Sequence, residues 1–223
     1  MQDILRELMH WDTQVFLFLN GMYHTFLDTF MSTYSGKWIW VPMYTAILYV
    51  MVRNLALKTL LLAIVAVALT IVITDQVTAT LIRPLVERLR PANLENPLSS
   101  MVHIVGDYRG GRYGFPSAHA ANTFGLAFFV AFLFKKRWLT LFFMAWAIVT
   151  CYSRIYLGVH YPGDLLAGAL IGLLAALITY NLFRLIAHYK PPKRWIHLYA
   201  PVWLGGITVI GIALYATVLY VRT

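Results

Sequence analysis

Apolar residues along this chain form long runs separated by short polar stretches, and both the run lengths and the composition read as membrane-spanning helices. A first span is predicted from about Lys37 to Val52, opened by Trp38 and Trp40 in the manner of an interfacial aromatic belt. The second, from about Leu57 to Leu81, is long enough to tilt and ends in polar turns carrying Thr74, Asp75, Gln76, Thr78 and Thr80. Three more are predicted at about Ser117–Phe134, Trp138–Tyr152 and Pro162–Ile186, and a further apolar segment runs from Leu198 to Val221. Gly168 and Gly172 have the spacing that lets two helix backbones approach closely. Residues 1–33 are mixed. There Asn20, His24 and Asp28 recur at i, i+4 and i+8, one polar stripe, which predicts an interfacial amphipathic helix.

The expected fold is therefore an all-α polytopic membrane bundle with five or six transmembrane segments, six if residues 14–31 cross. It forms one domain over residues 1–223, with an interfacial N-terminal helix region at 1–33 and a polar, glycine-bearing loop at 92–115 over the site.

Composition supports this class. The chain is 60% hydrophobic and 12% charged, about half the charge of a soluble protein, so a soluble module is excluded. The net charge of +9 is read as positive-inside bias plus an anion site, not as a nucleic-acid surface. The turn at Arg53–Lys58, the turn at Lys135–Arg137 and the loop at Arg184–Arg194 hold nine of the eighteen Lys and Arg residues and no acidic one. That places them on the cytoplasmic side. The polar stretches at Arg83–Arg90, Ser117–His119 and Ser153–Asp164 then share the opposite face, periplasmic in a bacterial inner membrane. Cys151 is the lone cysteine and forms no intrachain disulfide. The N-terminus lacks the basic region and apolar core of a signal peptide.

Three segments thus converge at one membrane depth: Arg83 and Arg90; Pro116-Ser117-Ala118-His119 at a helix start; and Ser153-Arg154 through His160 to Asp164. Two histidines, three arginines, a serine and one aspartate make a poor metal site, and no cofactor is expected. They suit a phosphate. Guanidinium forks match phosphate oxygens, and the free amides at Ser117 and Ala118 point toward an anion. His160 is the candidate nucleophile. Asp164, one turn on, would hold its Nδ1 proton, and His119 would protonate the leaving oxygen. Arg83, Arg90 and Arg154 would bind the phosphoryl oxygens, with Ser153 helping to place them. Arg112 is a possible substrate contact.

The set Arg83-(six residues)-Arg90-Pro91, Pro116-Ser117-Ala118-His119, Ser153-Arg154-(five residues)-His160-(three residues)-Asp164 resembles the three-part signature of the type 2 phosphatidic acid phosphatase family. That superfamily includes soluble acid phosphatases and vanadium haloperoxidases. Two positions depart from its pattern: Arg83 replaces the usual lysine, and Ala118 the usual glycine. The resemblance implies a phosphohistidine on His160, no metal requirement, and a lipid phosphate or pyrophosphate as substrate. Undecaprenyl pyrophosphate, phosphatidylglycerophosphate, phosphatidic acid and the phosphates of lipid A are all candidates. The rival readings are a phosphotransferase acting on another acceptor lipid, and a lipid-phosphate binding or transport protein without turnover.

Other polar residues receive plainer expectations. Arg88 and Arg109 are expected to meet solvent or headgroups, and His103 and Asp107 to lie in a solvated loop. Glu87 would pair locally with Arg83 or Arg88. Asp75 would tune the arginines or bond a neighbouring helix. His24 is an interfacial polar residue, and His188 and His197 flank the basic loop without a role.

Overall fold

A computed structural model describes residues 2–222, and among them the chain forms nine α-helices and no strand. They are α1 (Gln2–Asn20), α2 (Thr25–Tyr34), α3 (Val41–Asn54), α4 (Leu57–Asp75), α5 (Arg83–Val86), α6 (Ala118–Phe134), α7 (Arg137–Tyr156), α8 (Pro162–Ile186) and α9 (Ala200–Arg222). A π-helical stretch, Gln76–Ile82, joins α4 to α5, so this span continues to Val86 rather than stopping near Leu81. The helices long and apolar enough to cross a bilayer are Leu57–Val86, α7, α8 and α9, while α3 and α6 are shorter.

The centre of the bundle is α6, which packs on α8, α7 and α4. Its contact with α8 is backbone to backbone. A Cβ on Gly172 would lie 2.4 Å from the Ala121 carbonyl oxygen and 2.7 Å from the Gly125 nitrogen. Only bare glycine admits that approach, as the Gly168/Gly172 spacing predicts. On the α4 side, Thr70, Thr74 and Thr78 are buried one turn apart, and their hydroxyls donate back to Ala66, Thr70 and Thr74 carbonyls. Thr70 also meets Thr179 of α8 at 2.6 Å. Asp75 accepts from the Asn122 side chain of α6 at 2.9 Å, so it bonds a neighbouring helix. Around the other half of α6, Phe129, Leu133, Phe134, Phe143 and Trp40 fill an aromatic-rich core.

The three basic turns gather at one end. Asn54 bonds both the carbonyl and the N–H of Ile196, and Tyr189 donates to the Leu133 carbonyl. The three polar segments lie at the other end.

The N-terminus departs from the single predicted helix. The chain breaks after Asn20 and restarts at Thr25, with His24 capping α2 through its Nδ1. The expected polar stripe turns inward. Asn20 is 1% exposed, and its Nδ2 donates to the carbonyls of His103, Ile155 and Tyr156. The Tyr156 carbonyl is an orphan at the C-terminus of α7, while the Ile155 carbonyl also accepts the Gly158 N–H at 2.9 Å. Asp28 accepts from the Tyr156 hydroxyl and pairs with His103 at 2.8 Å. The outer side of α1 leaves Ile4, Leu8, Trp11, Val15 and Phe18 exposed, an apolar surface suited to the interface.

Candidate active site

Three helix ends deliver the chemistry. Ser117 caps α6, its Oγ accepting from the Ala120 N–H. Ala118 is the first helical residue and has no positive φ, so the position does not require glycine's freedom and the extra methyl is accommodated. The C-terminus of α7 carries Ser153 and Arg154, because α7 continues to Tyr156, one turn past its predicted end. Pro162 opens α8 at a position where proline is preformed for helix, and Asp164 Oδ2 accepts the Tyr161 N–H at 3.1 Å.

Between α7 and α8 lies His160, 2% exposed. Its Nδ1 is 3.3 Å from Asp164 Oδ2, and its Nε2 is 3.0 Å from Arg90 Nη1. A guanidinium only donates, so Nε2 accepts and Nδ1 carries the proton toward the carboxylate. The imidazole is thus held neutral with its lone pair toward the cations. Burial, followed by Arg90, Arg154 and Arg83, pushes the His160 pKa well below its ordinary 6.5, against a smaller opposite pull from the Gly114 backbone. Arg90 is itself pushed down to about 10, first by burial, then by Arg154 and Arg83. It stays charged at neutral pH. Arg90 is pinned through Nε to the Tyr113 carbonyl and through Nη1 to the Val159 carbonyl, which leaves Nη2 free to grip an anion.

Arg83 donates through Nη2 to the Pro116 carbonyl. Arg154 donates to Ser35 Oγ at 2.7 Å and to the Tyr108 hydroxyl at 3.3 Å. The Nε atoms of both are buried without a hydrogen-bond partner, and buried donors of a charged group normally find one. Three guanidiniums with donors in reserve are thus gathered in one place, an arrangement able to hold an anion. His119 projects from the first turn of α6 and is exposed. It lies within electrostatic range of Arg154, His160, Arg90 and Lys37.

Beside His119 opens an apolar cavity of about 420 Å³ between α3, α4 and α6. Lys37 and His119 belong to its lining, and Ile64, Leu126, Phe129 and Leu133 carry it toward the opposite side of the membrane. Its volume lies in the range of ligand-binding pockets.

The structure thus brings His160, His119, Asp164, Arg83, Arg90, Arg154 and the Ser117–Ala118 helix start together. Two further predicted residues have other side-chain partners. Ser153 is fully buried and donates to the Thr150 carbonyl at 2.6 Å, a bond within its own helix. Arg112 is exposed and its side chain pairs with Glu95 at 2.7 Å, while its backbone carbonyl accepts the Arg90 N–H at 3.1 Å and so keeps it at the edge of the cluster. Glu87 ends α5 in a left-handed conformation and takes neither arginine. Arg88 instead lies between Asp12 and Asp164. Arg109 is tied to the Ala92 carbonyl at 2.8 Å. His103 is part-buried, stacked on Tyr23 with ring centroids 4.0 Å apart and paired with Asp28.

Sequence reasoning missed Asp12, Ser35, Lys37 and Tyr108. Tyr108 sits in the loop, and although burial raises its pKa, Arg154 and Arg90 outweigh that and lower it. No local pattern marked these residues, because each meets the site across a long stretch of chain.

An arginine-lined pocket around a neutral histidine, at the end of a membrane bundle, defines a phosphate-handling membrane protein. The chain belongs to the PAP2 superfamily, whose model matches residues 59–188. It is 47% identical over 219 residues to the lipid A 4′-phosphatase of Bacteroides thetaiotaomicron, covering 93% of this chain and 96% of that one. It is 33% identical over 181 residues to the lipid A 4′-phosphatase of Porphyromonas gingivalis, covering 80% and 75%. The crystal structure of Aquifex aeolicus LpxE shares the fold, with a TM-score of 0.56 at 22% identity over 76% of this chain and 94% of that one.

Proposed function

We propose that this membrane lipid phosphatase removes the 4′-phosphate of lipid A through a phosphohistidine on His160. The observation that carries the reading is the placement of His160: buried, hydrogen-bonded through Nδ1 to Asp164, and turned through Nε2 into the guanidinium cluster. The 47% identity to a lipid A 4′-phosphatase across nearly the full length of both chains supports this substrate over the others.

A phosphate dianion entering the cluster takes donors from Arg83, Arg90 and Arg154 and from the first amides of α6. As Arg90 turns to the phosphate, Nε2 is released. Its lone pair attacks phosphorus while the bond from phosphorus to the sugar oxygen breaks, and His119 supplies the proton that oxygen needs. Asp164 stabilises the positive imidazole. Water, losing a proton to His119, then attacks phosphorus, the P–N bond breaks, and inorganic phosphate leaves. The arginines meet charge on the equatorial oxygens throughout. No metal takes part in these steps. An acyl chain of the substrate lies in the apolar cavity beside His119. The site faces away from the three basic turns, on the periplasmic side of a bacterial inner membrane.

Phosphate release from the purified protein tests this reading across lipid A, undecaprenyl pyrophosphate, phosphatidylglycerophosphate and phosphatidic acid. The expected result is the highest kcat/KM on lipid A and none with His160→Ala. A preference for the diphosphate overturns the substrate. Phosphate moved to an acceptor lipid with little released as free phosphate makes the protein a transferase.

A further inference from the structure

One largely buried cation beside the site has both of its Nη groups on carboxylates. Arg88 Nη1 donates to Asp164 Oδ1 at 2.9 Å, and its Nη2 donates to Asp12 Oδ2 at 2.7 Å. Its guanidinium carbon lies 3.8 Å from the centre of the Tyr161 ring, within the range of a cation–π contact. With both Nη groups committed to carboxylates, Arg88 faces away from the anion pocket and toward the back of the His160–Asp164 pair.

Asp12 reaches this point from α1. Its Oδ1 accepts the Gly163 N–H at 2.7 Å, one of the free amides of the first turn of α8. A Cβ on Gly163 would lie 2.8 Å from Asp12 Oδ2, so the approach needs glycine there. Asp12, Phe16 and Asn20 stand at i, i+4 and i+8, on one face of α1. Phe16 is fully buried with its ring centroid 5.2 Å from that of Tyr161, and Asn20 caps the end of α7. This face of α1 therefore grips both sides of the segment that carries His160.

The arrangement divides the oxygens of Asp164. Oδ1 is held by Arg88, while Oδ2 serves the Tyr161 N–H and His160 Nδ1. An Arg88 paired with Asp164 alone would draw the carboxylate's charge to itself and weaken its pull on the imidazole. Asp12 takes a share of that guanidinium. We propose that Asp12 and Arg88 are positioning residues that fix the orientation of Asp164 and set how much of its charge reaches His160. This rests on the nucleophilic role of His160 proposed above.

The charged and titratable groups facing His160 are Arg83, Arg90 and Arg154, Tyr108 of the loop, His119 of α6, and Asp164 with Arg88 and Asp12 behind it. Within that field, Asp12→Asn and Arg88→Gln remove charges of opposite sign while keeping shape. Asp12→Asn deprives His160 of negative potential, so the acid limb of kcat/KM should move to lower pH. Arg88→Gln deprives it of positive potential, so the limb should move to higher pH. Both should lower kcat on the order of ten- to a hundredfold, with KM little changed because neither residue faces the phosphate. Arg88→Lys, which keeps the charge and loses the fork, should recover part of kcat and return the limb toward wild type.

The experiment is the pH dependence of phosphate release from lipid A by the full chain in detergent, with melting temperatures taken alongside. Phe16→Leu loosens the same helix without touching charge and should lower stability with the limb unmoved. Opposite shifts in Asp12→Asn and Arg88→Gln are expected. Wild-type kcat, an unmoved limb in both, or shifts of the same sign overturn the proposal. If Asp12→Asn does not fold, Arg88→Gln against Arg88→Lys carries the same test. Turnover retained by His160→Ala would instead remove the nucleophile reading, so the two failures are distinguishable.

Discussion

Gly168 of α8 packs against the carbonyl of Ser117, so closely that a Cβ there would lie 2.4 Å from the oxygen. The contact joins the helix that begins with Ser117 and His119 to the helix that carries Asp164. The Ser117 N–H donates to the Asp164 carbonyl at 3.0 Å, tying the same two helix starts again. The placement of His119 relative to Asp164, the partner of His160, is thus held by helix packing. Gly168→Ala or Gly172→Ala should force α6 and α8 apart and cost about 1–3 kcal/mol. The check is the melting temperature in detergent, with kcat falling in parallel for Gly168→Ala.

Gly114 offers a more local test. A Cβ on it would stand 3.1 Å from both Arg90 Cγ and Asp164 Oδ2 and 3.5 Å from His160 Nδ1. Gly114→Ala should displace these groups and reduce kcat about tenfold or more, with a much smaller loss of thermal stability than Gly168→Ala. Equal kcat in the variant and the wild type would show that the loop stands further from the reacting groups.

Acid conditions should act on His160 with a defined sign. Its pKa is lower in the folded protein than the ordinary 6.5, so the unfolded chain binds more protons between the two values. The stability contributed by the neutral imidazole is complete above about 6.5 and is lost as pH falls through the window below it. In activity, the acid limb of kcat/KM assigned to the free enzyme's histidine should lie below 6.5. A substrate without its own ionisation in that range isolates the limb. A limb at or above 6.5 would contradict the burial and the cation field as described.

The proton donor can be separated from the nucleophile by changing the leaving group. His119→Ala should slow release from lipid A by about 10²–10⁴-fold. Its effect on kcat/KM for an aryl phosphate should be far smaller, because that parameter ends at leaving-group departure, before the water attack that His119 also serves, and a phenolate leaves without a proton. Equal losses on both would assign His119 to binding. Excess chelator should leave wild-type turnover on either substrate unchanged.

The apolar cavity predicts a chain-length effect. Leu126→Trp fills the space beside His119 and should raise KM for long-chain lipid substrates while leaving a water-soluble phosphate unaffected. A uniform loss on both kinds of substrate would count against acyl-chain binding there.

The spans and the residues of the arginine–histidine cluster were legible because each is local. Arg83 and Arg90, Ser117 to His119, and Arg154 to Asp164 lie at ends of apolar runs, where cost and spacing expose them. The Gly168/Gly172 spacing was legible for the same reason. What escaped is non-local. Arg88 meets Asp164 across 76 residues, and Asp12 meets Gly163 across 151, distances over which no periodicity speaks. The stripe at Asn20, His24 and Asp28 was real as a pattern, but the chain breaks within it, and its polar atoms bond α7 and His103 rather than the interface. The bond from the Ser153 hydroxyl to the Thr150 carbonyl within its own helix was not foreseen either.

The proposed mechanism requires that His160 become covalently phosphorylated. Brief mixing of the full-length protein with lipid A, followed by alkaline quench and mass spectrometry of the peptide that bears His160, tests it most directly. Addition of one phosphoryl group at His160, accumulating in a variant slowed in the water-attack step and absent from His160→Ala, is the predicted result. Steady turnover with His160 unmodified under the same quench would contradict it.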